Sequence, residues 1–377
     1  MYFSSKRTRP ACNALLNHNL KHMDYSLFFI VLILLAFGLI SLFSASAIYA
    51  SNKGLDSIFY AKKQALYILA GLGLMAFTAR LNLEKTRKLI KPGVALIIAL
   101  LGLTFLMPPV ARVHRWIPLG FMKLQPSEFA KIALVLYLAD FFDRRASQIA
   151  ADWKTLLKPL GVMGVILALI ALEPDLGTPV LMFGISLFIF FAAGVKLRLV
   201  LLPITAILPV LIFEIVSHPY RLNRLKTFLA PFQDTTGTGY QLAQSLLAVG
   251  SGGWLGKGLG ASKLKLMYLP EPHTDFIFPV IAEELGLLGS LFIVLLFIAL
   301  LIKGARIARN APSFYTTLAA LGLTLTLTLQ AFFNLAMSTG LIPTKGIPLP
   351  FFSYGGSSML TSMIAVGLIL NISAHRS

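Results

Sequence analysis

The sequence predicts an all-α polytopic integral membrane protein, and three observations carry that prediction. Hydrophobic residues make up 57% of the 377 and charged residues only 13%, where a soluble domain carries about 25% charged. Mean hydropathy is +0.79, too apolar for a chain that must cover its surface with polar groups. Uncharged runs near the length of a bilayer span recur along the chain. Collagenous, disordered and disulfide-scaffold classes are excluded by the same composition.

The first ~24 residues are polar and basic, with Lys6, Arg7, Arg9 and Lys21. Residues 25–52 then carry no charge. That run is too long for a signal-peptide core of roughly 7–15 residues, so it reads as an anchor that stays. Further uncharged runs cover 64–79, 92–111, 159–172, 176–195, 199–213 and 285–302, with one span each in 310–344 and 346–375. A span needs about 20 residues, so several runs extend past a flanking charge. Residues 127–142 are apolar but contain Glu128, Lys131 and Asp140. Counted as a span, they make ten.

An even number puts both termini on one side. Lys and Arg number 19 in the loops of the N-terminal side and 13 opposite, six of the 13 in one loop of about residues 217–275. Long loops escape the positive-inside rule, so the remaining bias puts both termini in the cytoplasm. The expected organisation is a basic cytoplasmic tail (1–24) and a single ten-helix domain (25–375). The domain includes an extracytoplasmic loop (217–275) between spans 7 and 8.

The net charge is +18. In a soluble chain this would suggest nucleic acid. Here basic loops that set topology and touch anionic lipid account for it, so no nucleic-acid partner is expected. The balance also suits a polyanionic substrate such as a lipid pyrophosphate. Cys12 is the only cysteine, so no intrachain disulfide can form. In the long loop, residues 220–232 alternate Arg221, Arg224 and Lys226 with Leu222, Leu225, Phe228 and Leu229. At helical spacing this makes an amphipathic helix suited to the membrane interface. Gly250-Ser-Gly-Gly253 and Gly256-Lys-Gly-Leu-Gly260 fit neither a Walker A loop nor a dinucleotide fingerprint and read as turns. No internal repeat appears.

Charged groups at membrane depth cost about 2.5–3.5 kcal/mol each on insertion scales and are functional hypotheses by default. Glu128 and Lys131 lie three apart on one helix face and can pair, either pinning two helices or lining a polar cavity. His273-Thr274-Asp275 opens an apolar helix. Either Thr274 or Asp275 is its N-cap, or Asp275 is a carboxylate at a cavity mouth, raised by burial toward a useful general base. Glu283 and Glu284 lie two turns deeper, Glu283 roughly 12 Å from Asp275, too far for a paired-carboxylate site and suited to an internal ion-paired role. Glu173 and Asp175 either cap the next helix or bind a cation. Arg112, His114, Arg115, Lys123 and Lys345 stand in outer loops, either as anion donors or as snorkelling residues. Ser357, in Ser353-Tyr-Gly-Gly-Ser-Ser358, opens the last span among small residues suited to close packing. No zinc motif or nucleophile elbow is present. A divalent ion such as Mg or Mn, held by carboxylates and phosphates, stays open.

The same segments resemble the SEDS family of bacterial cell-wall proteins (shape, elongation, division and sporulation). The matches are Arg115-Trp-Ile-Pro-Leu-Gly120, Gln125-Pro-Ser-Glu-Phe-Ala-Lys131 and Glu173-Pro-Asp-Leu-Gly-Thr178, followed by Tyr240-Gln-Leu-Ala-Gln-Ser245 and Leu269-Pro-Glu-Pro-His-Thr-Asp-Phe-Ile-Phe278. Glu283-Glu-Leu-Gly286 and Pro350-Phe-Phe-Ser-Tyr-Gly-Gly-Ser-Ser358 complete an ordered set over nearly the whole chain. Pro343-Thr-Lys-Gly346 and Gly256-Lys-Gly-Leu-Gly260 favour the division member over the elongation member. Pro279 departs from the family pattern, where alanine is expected, and would kink the start of its helix.

The resemblance implies a ten-helix peptidoglycan glycosyltransferase of the bacterial inner membrane that polymerises lipid II into glycan strands, at the septum for the division member. It implies a class B penicillin-binding transpeptidase and other division proteins as partners. It gives Asp275 the role of essential acid, with Glu128 and Lys131 as cavity residues. Arg115, Lys123, His273, Thr274, Lys345 and Ser357 are the further candidates for the substrate cavity. In the mechanism this suggests, Asp275 takes the proton from the acceptor sugar hydroxyl while basic residues stabilise the departing pyrophosphate. A lipid II flippase, a scaffold without chemistry and the elongation polymerase are the alternatives.

Overall fold

The computed structural model describes residues 23–109, 113–120, 122–149, 153–173, 175–217, 227–233, 238–265 and 273–375. Cys12, Arg112 and most of the amphipathic stretch 220–232 lie outside the described residues. The described chain is almost all helix: α1 (Tyr25–Asn52), α2 (Phe59–Thr78), α3 (Leu83–Thr104), α4 (Pro126–Ile149), α5 (Leu157–Leu172), α6 (Gly177–Ala192) and α7 (Leu197–Ser217), then α8 (Thr238–Ser251), α9 (Ile277–Arg309), α10 (Phe314–Ser338) and α11 (Gly356–Ala374). A two-residue hairpin, β1 (Ile117–Pro118) and β2 (Lys123–Leu124), precedes α4.

A helix stands at each of the ten places where the sequence led to a span. By length and composition, five described helical stretches can cross a bilayer: α1, residues 154–172 ending in α5, α9, α10 and α11. α2 and α3 pass together, bent by 119°. α8 adds a helix inside the long loop that the sequence reading did not separate from its glycines.

The two ends of the bundle sort as the topology requires. The Asp24 backbone N–H donates to Ser373 Oγ at 3.1 Å, so the start of α1 meets the end of α11. At that end Asn371 Nδ2 donates to the carbonyls of Thr78, Ala79 and Leu81, closing the α2–α3 turn. Arg87 pairs with Asp140 at 2.7 Å and Asp143 at 2.6 Å, and lies over the Tyr315 ring at 4.6 Å. The start of α3, the end of α4 and the start of α10 therefore share the terminal end, the one expected to be cytoplasmic.

α10 is the hub, packed by α4, α6, α8, α9 and α11. It offers buried leucines and alanines, and its threonine hydroxyls at 324, 326 and 328 bond back to carbonyls four residues earlier. That satisfies each hydroxyl inside its own helix, as hydrocarbon demands. α9 by contrast exposes Leu287, Leu288, Leu291, Leu295 and Ile302 along one side, the composition of a lipid-facing surface.

The expected kink at Pro279 is not the break in this helix. Pro279 is the third residue of α9, in the first turn, where its missing N–H has no helical partner to lose. The break is at Gly286, with φ 66° and ψ −162°, a conformation essentially confined to glycine. Backbone groups freed there are taken up by the Gly-rich loop after α8. Lys257 and Gly258 N–H donate to the carbonyls of Glu283 and Glu284, and Leu287 and Leu288 N–H donate to those of Gly253 and Trp254. These glycines let two backbones pair against a broken helix, the condition for irregular chain at membrane depth.

Gly286→Ala is expected to lower the melting temperature of the detergent-solubilised protein, reflecting a backbone cost of about 1–3 kcal/mol. Gly164→Ala, where a Cβ meets nothing within 4 Å on helical backbone, is expected to leave it unchanged or raise it. Equal shifts in the two variants would remove the special backbone requirement at Gly286.

Candidate active site

The opposite end of the bundle gathers most of the polar residues singled out from the sequence. α4 starts at Pro126, where proline is tolerated, and carries Glu128 and Lys131 inward on one face. Both are buried, and Lys131 Nζ donates to Glu128 Oε2 at 2.8 Å. The same ammonium donates to Gln330 Oε1 on α10 at 2.6 Å. Thr361 of α11 approaches Glu128 Oε2 at 3.4 Å. The pair therefore joins three helices and has both partners in place.

Asp275 stands just before α9 and is half-buried. The helix N-cap is Phe276, which places Asp275 one residue before it. The carboxylate lies over the loop between α10 and α11: a Cβ placed on Gly346 would come 2.9 Å from Asp275 Oδ2. Lys345 precedes that glycine.

The segment carrying Asp275 is docked through three successive carbonyls. Tyr354 N–H donates to His273 O at 2.9 Å, Ser353 Oγ to Thr274 O at 2.7 Å, and Asn334 Nδ2 to Asp275 O at 2.8 Å. Ser353 and Tyr354 thus hold the acidic segment, beyond the close packing expected of the Ser353–Ser358 motif. Ser357 Oγ accepts from Gln125 N–H at 2.9 Å and donates to Lys123 O at 3.1 Å, tying the hairpin and the start of α4 to α11. The Lys123 side chain is exposed.

His273 is buried among Tyr49, Tyr60 and Tyr354, with ring centroids 4.8, 4.5 and 5.7 Å away. Burial, with the Lys53 charge acting the same way, pushes its imidazole down to about 4. Burial therefore favours the neutral imidazole.

Glu173 and Asp175 separate into two roles. Asp175 Oδ1 accepts from the N–H groups of Gly177 and Thr178 at 3.0 and 3.1 Å, and Oδ2 from the Thr178 hydroxyl, so it caps the start of α6. Glu173 is fully buried and accepts from Thr104 Oγ1 at 2.8 Å. Burial raises its carboxyl to about 7, and the Asp175 charge adds to the rise. Arg115 donates to the Glu173 carbonyl at 2.9 Å and lies 3.9 Å from Asp175, an arginine where a cation cage would need a further oxygen ligand. Among the described residues no group of three or more His, Cys, Asp or Glu is arranged to hold a metal ion.

Glu283 and Glu284 do not join this site. Glu283 accepts from Lys257 at 2.7 Å and Ser262 at 2.6 Å. Glu284 accepts from Lys265 at 2.9 Å and from Ser44 of α1 at 2.7 Å. They hold the Gly-rich loop against α9 and α1.

Two residues of the site escaped the sequence reading, Gln330 and Asn334. Their signal was available: two amides four apart, hence on one face, inside an otherwise apolar helix. A polar group in a span asks for a named partner.

The fold and this arrangement define a class: a polytopic helical membrane protein with a buried ion pair and a docked acidic segment converging at one end. Residues 25–377 match the family model described as cell cycle protein, covering FtsW, RodA and SpoVE, and the chain belongs to that family. It is 40% identical over 358 residues to stage V sporulation protein E of Bacillus subtilis, covering 93% of this chain and 97% of that one. It is 39% identical over 360 residues to a probable peptidoglycan glycosyltransferase FtsW of Trichlorobacter lovleyi, covering 94% of each. Among solved structures it resembles a chain described under "Structural coordination of polymerization and crosslinking by a peptidoglycan synthase complex". That match has a TM-score of 0.78 and 27% identity, covering 93% of this chain and 97% of that one.

Proposed function

We propose that this chain is an FtsW-type peptidoglycan glycosyltransferase, polymerising lipid II at the outer face of the bacterial inner membrane during septal wall synthesis. Relatives named as peptidoglycan glycosyltransferases over nearly the full length support the activity. The observation that carries the site is the Asp275 carboxylate. It faces the 343–346 loop, and it hangs from a segment docked by three consecutive carbonyls.

Asp275 acts as general base. It takes the proton from the 4-hydroxyl of the acceptor sugar, and that oxygen attacks the donor's anomeric carbon with inversion. The bond to the pyrophosphate oxygen breaks and undecaprenyl pyrophosphate leaves. Lys345, beside Gly346, is the basic residue nearest in sequence to the Asp275 contact and serves the departing charge. In this reading the buried Glu128–Lys131 pair, bonded to Gln330, supports the substrate cavity. A single-span transpeptidase of the class B penicillin-binding type is the partner, supported by the likeness to a chain of a peptidoglycan synthase complex.

General-base help is typically worth about 10²–10⁴ in rate. With purified lipid II and the transpeptidase present, the wild type is expected to make glycan polymer and Asp275→Asn to lose turnover by that order while still binding lipid II. Polymer from both proteins would return Asp275 to a structural role. No polymer from the wild type, with lipid II transport intact in vesicles, would favour a flippase.

A further inference from the structure

We propose that Asn334 and Gln330, one turn apart on α10, are positioning residues that hold the Asp275 segment and the Glu128–Lys131 pair in one register through the loop between α10 and α11. The inference rests on the reading of Asp275 as the general base and extends it to residues that touch no substrate.

The geometry is a continuous chain of hydrogen bonds. Lys131 donates to Gln330 Oε1 at 2.6 Å, and Gln330 Nε2 donates to Pro348 O at 2.9 Å. One turn on, Asn334 Nδ2 donates to Ile347 O at 2.7 Å and to Asp275 O at 2.8 Å. The adjacent carbonyls of Ile347 and Pro348 are thus gripped by two amides on one helix face. Each amide spends its other contact on a different half of the site. Both side chains are buried, Asn334 completely.

A short, neutral double donor suits position 334. Two carbonyl oxygens face it, so it must donate twice. A carboxylate cannot do so, and an apolar side chain would strand both carbonyls as buried, unpaired groups. Asn334 Oδ1 is itself buried without a hydrogen-bond partner among the described residues. Stability alone does not ask for such an acceptor, whereas the two donors on the same amide are both used. Gln330 has the complementary need: one acceptor for an ammonium and one donor for a carbonyl. Small displacements of a base from its target cost rate steeply, so loosening either amide acts on turnover more than on substrate affinity.

The test measures lipid II polymerisation against lipid II concentration, in the full chain with the transpeptidase partner present. The proteins are wild type, Asn334→Leu, Asn334→Asp, Gln330→Glu, Asp275→Asn and, as control, Thr328→Val. Among the described residues the Thr328 hydroxyl bonds within its own helix, to Thr324 O at 2.9 Å. Both Asn334 variants are expected to lower kcat about tenfold or more with KM within about threefold, the pattern of a lost transition-state requirement. Gln330→Glu keeps an acceptor for Lys131 but removes the donor to Pro348 O, and is expected to lose kcat too. Thr328→Val is expected to stay at wild-type rate.

Wild-type kcat in a folded Asn334→Leu, or a raised KM at unchanged kcat, overturns the proposal. If Asn334→Leu does not fold, Gln330→Glu decides, and wild-type kcat there overturns it. Asp275→Asn separates the two levels. If it polymerises normally, the general-base reading itself fails. If it is inactive while the Asn334 and Gln330 variants run at wild-type rate, only the positioning inference fails.

Discussion

Replacing Lys131 with methionine is expected to abolish glycan formation and to destabilise the bundle, and the two losses are separable. Glu128 and Lys131 are 3% and 4% exposed and 2.8 Å apart. Removing the ammonium alone leaves a buried carboxylate without its counter-charge, a change that costs about 3–5 kcal/mol, whereas replacing both charges with well-packed neutral groups is often close to neutral. The double variant Glu128→Gln/Lys131→Met is therefore expected to recover most of the melting temperature lost by Lys131→Met. Its rate distinguishes the two readings of the pair. A pin between helices recovers activity together with stability. A cavity residue that serves the reaction leaves the double variant stable and inactive, which is the expected result. Melting curves and lipid II polymerisation on the same three preparations check it.

The second large effect is expected in the loop that pairs with the break in α9. Lys265 is 5% exposed and shares Glu284 with Ser44, while Lys257 is one-third exposed over Glu283. Glu284→Ala strands a buried ammonium, so a loss of about 3–5 kcal/mol is expected. Lys257→Ala leaves Glu283 with the Ser262 hydroxyl and the Leu264 N–H, and its ammonium was partly hydrated, so its loss is expected to be much smaller. Hydrogen exchange across residues 252–265 should rise sharply in Glu284→Ala and little in Lys257→Ala. Equal protection in both would mean that backbone pairing around Gly286, and not the buried charge, holds the loop. Restored protection in Glu284→Leu/Lys265→Met would identify the stranded charge as the cause.

What was legible in the sequence was whatever depends on near neighbours along the chain. Glu128 and Lys131 were readable as a pair because three residues on a helix bring two side chains onto one face, whatever surrounds them. The positions of the helices were readable because hydrocarbon admits only backbone that satisfies itself, so apolar runs must be helices there. Glu283 and Glu284 were readable as ion-paired, but not to whom. Lys257 and Lys265 reach them across 26 and 19 residues, through glycines whose course no local rule predicts.

Asp175 and Asp275 show where local reading stops. Each precedes a helix by two residues and each is a credible cap. Asp175 caps its helix; the Asp275 carboxylate lies beside Gly346 in the loop between α10 and α11. The difference lies in Tyr354, Ser353 and Asn334, which seize the carbonyls of residues 273–275 from 59 to 81 positions away and so turn the Asp275 carboxylate toward Gly346. The sequence by itself determined that this chain is a bundle of membrane helices, which charges it would bury, and the family its ordered motifs resemble. Hydropathy and helical spacing are local quantities, and the penalty for unsatisfied groups in lipid enforces them. Only the tertiary structure decided that the Asp275 carboxylate is presented to a neighbouring loop, because that depends on hydrogen-bond donors brought in from distant helices.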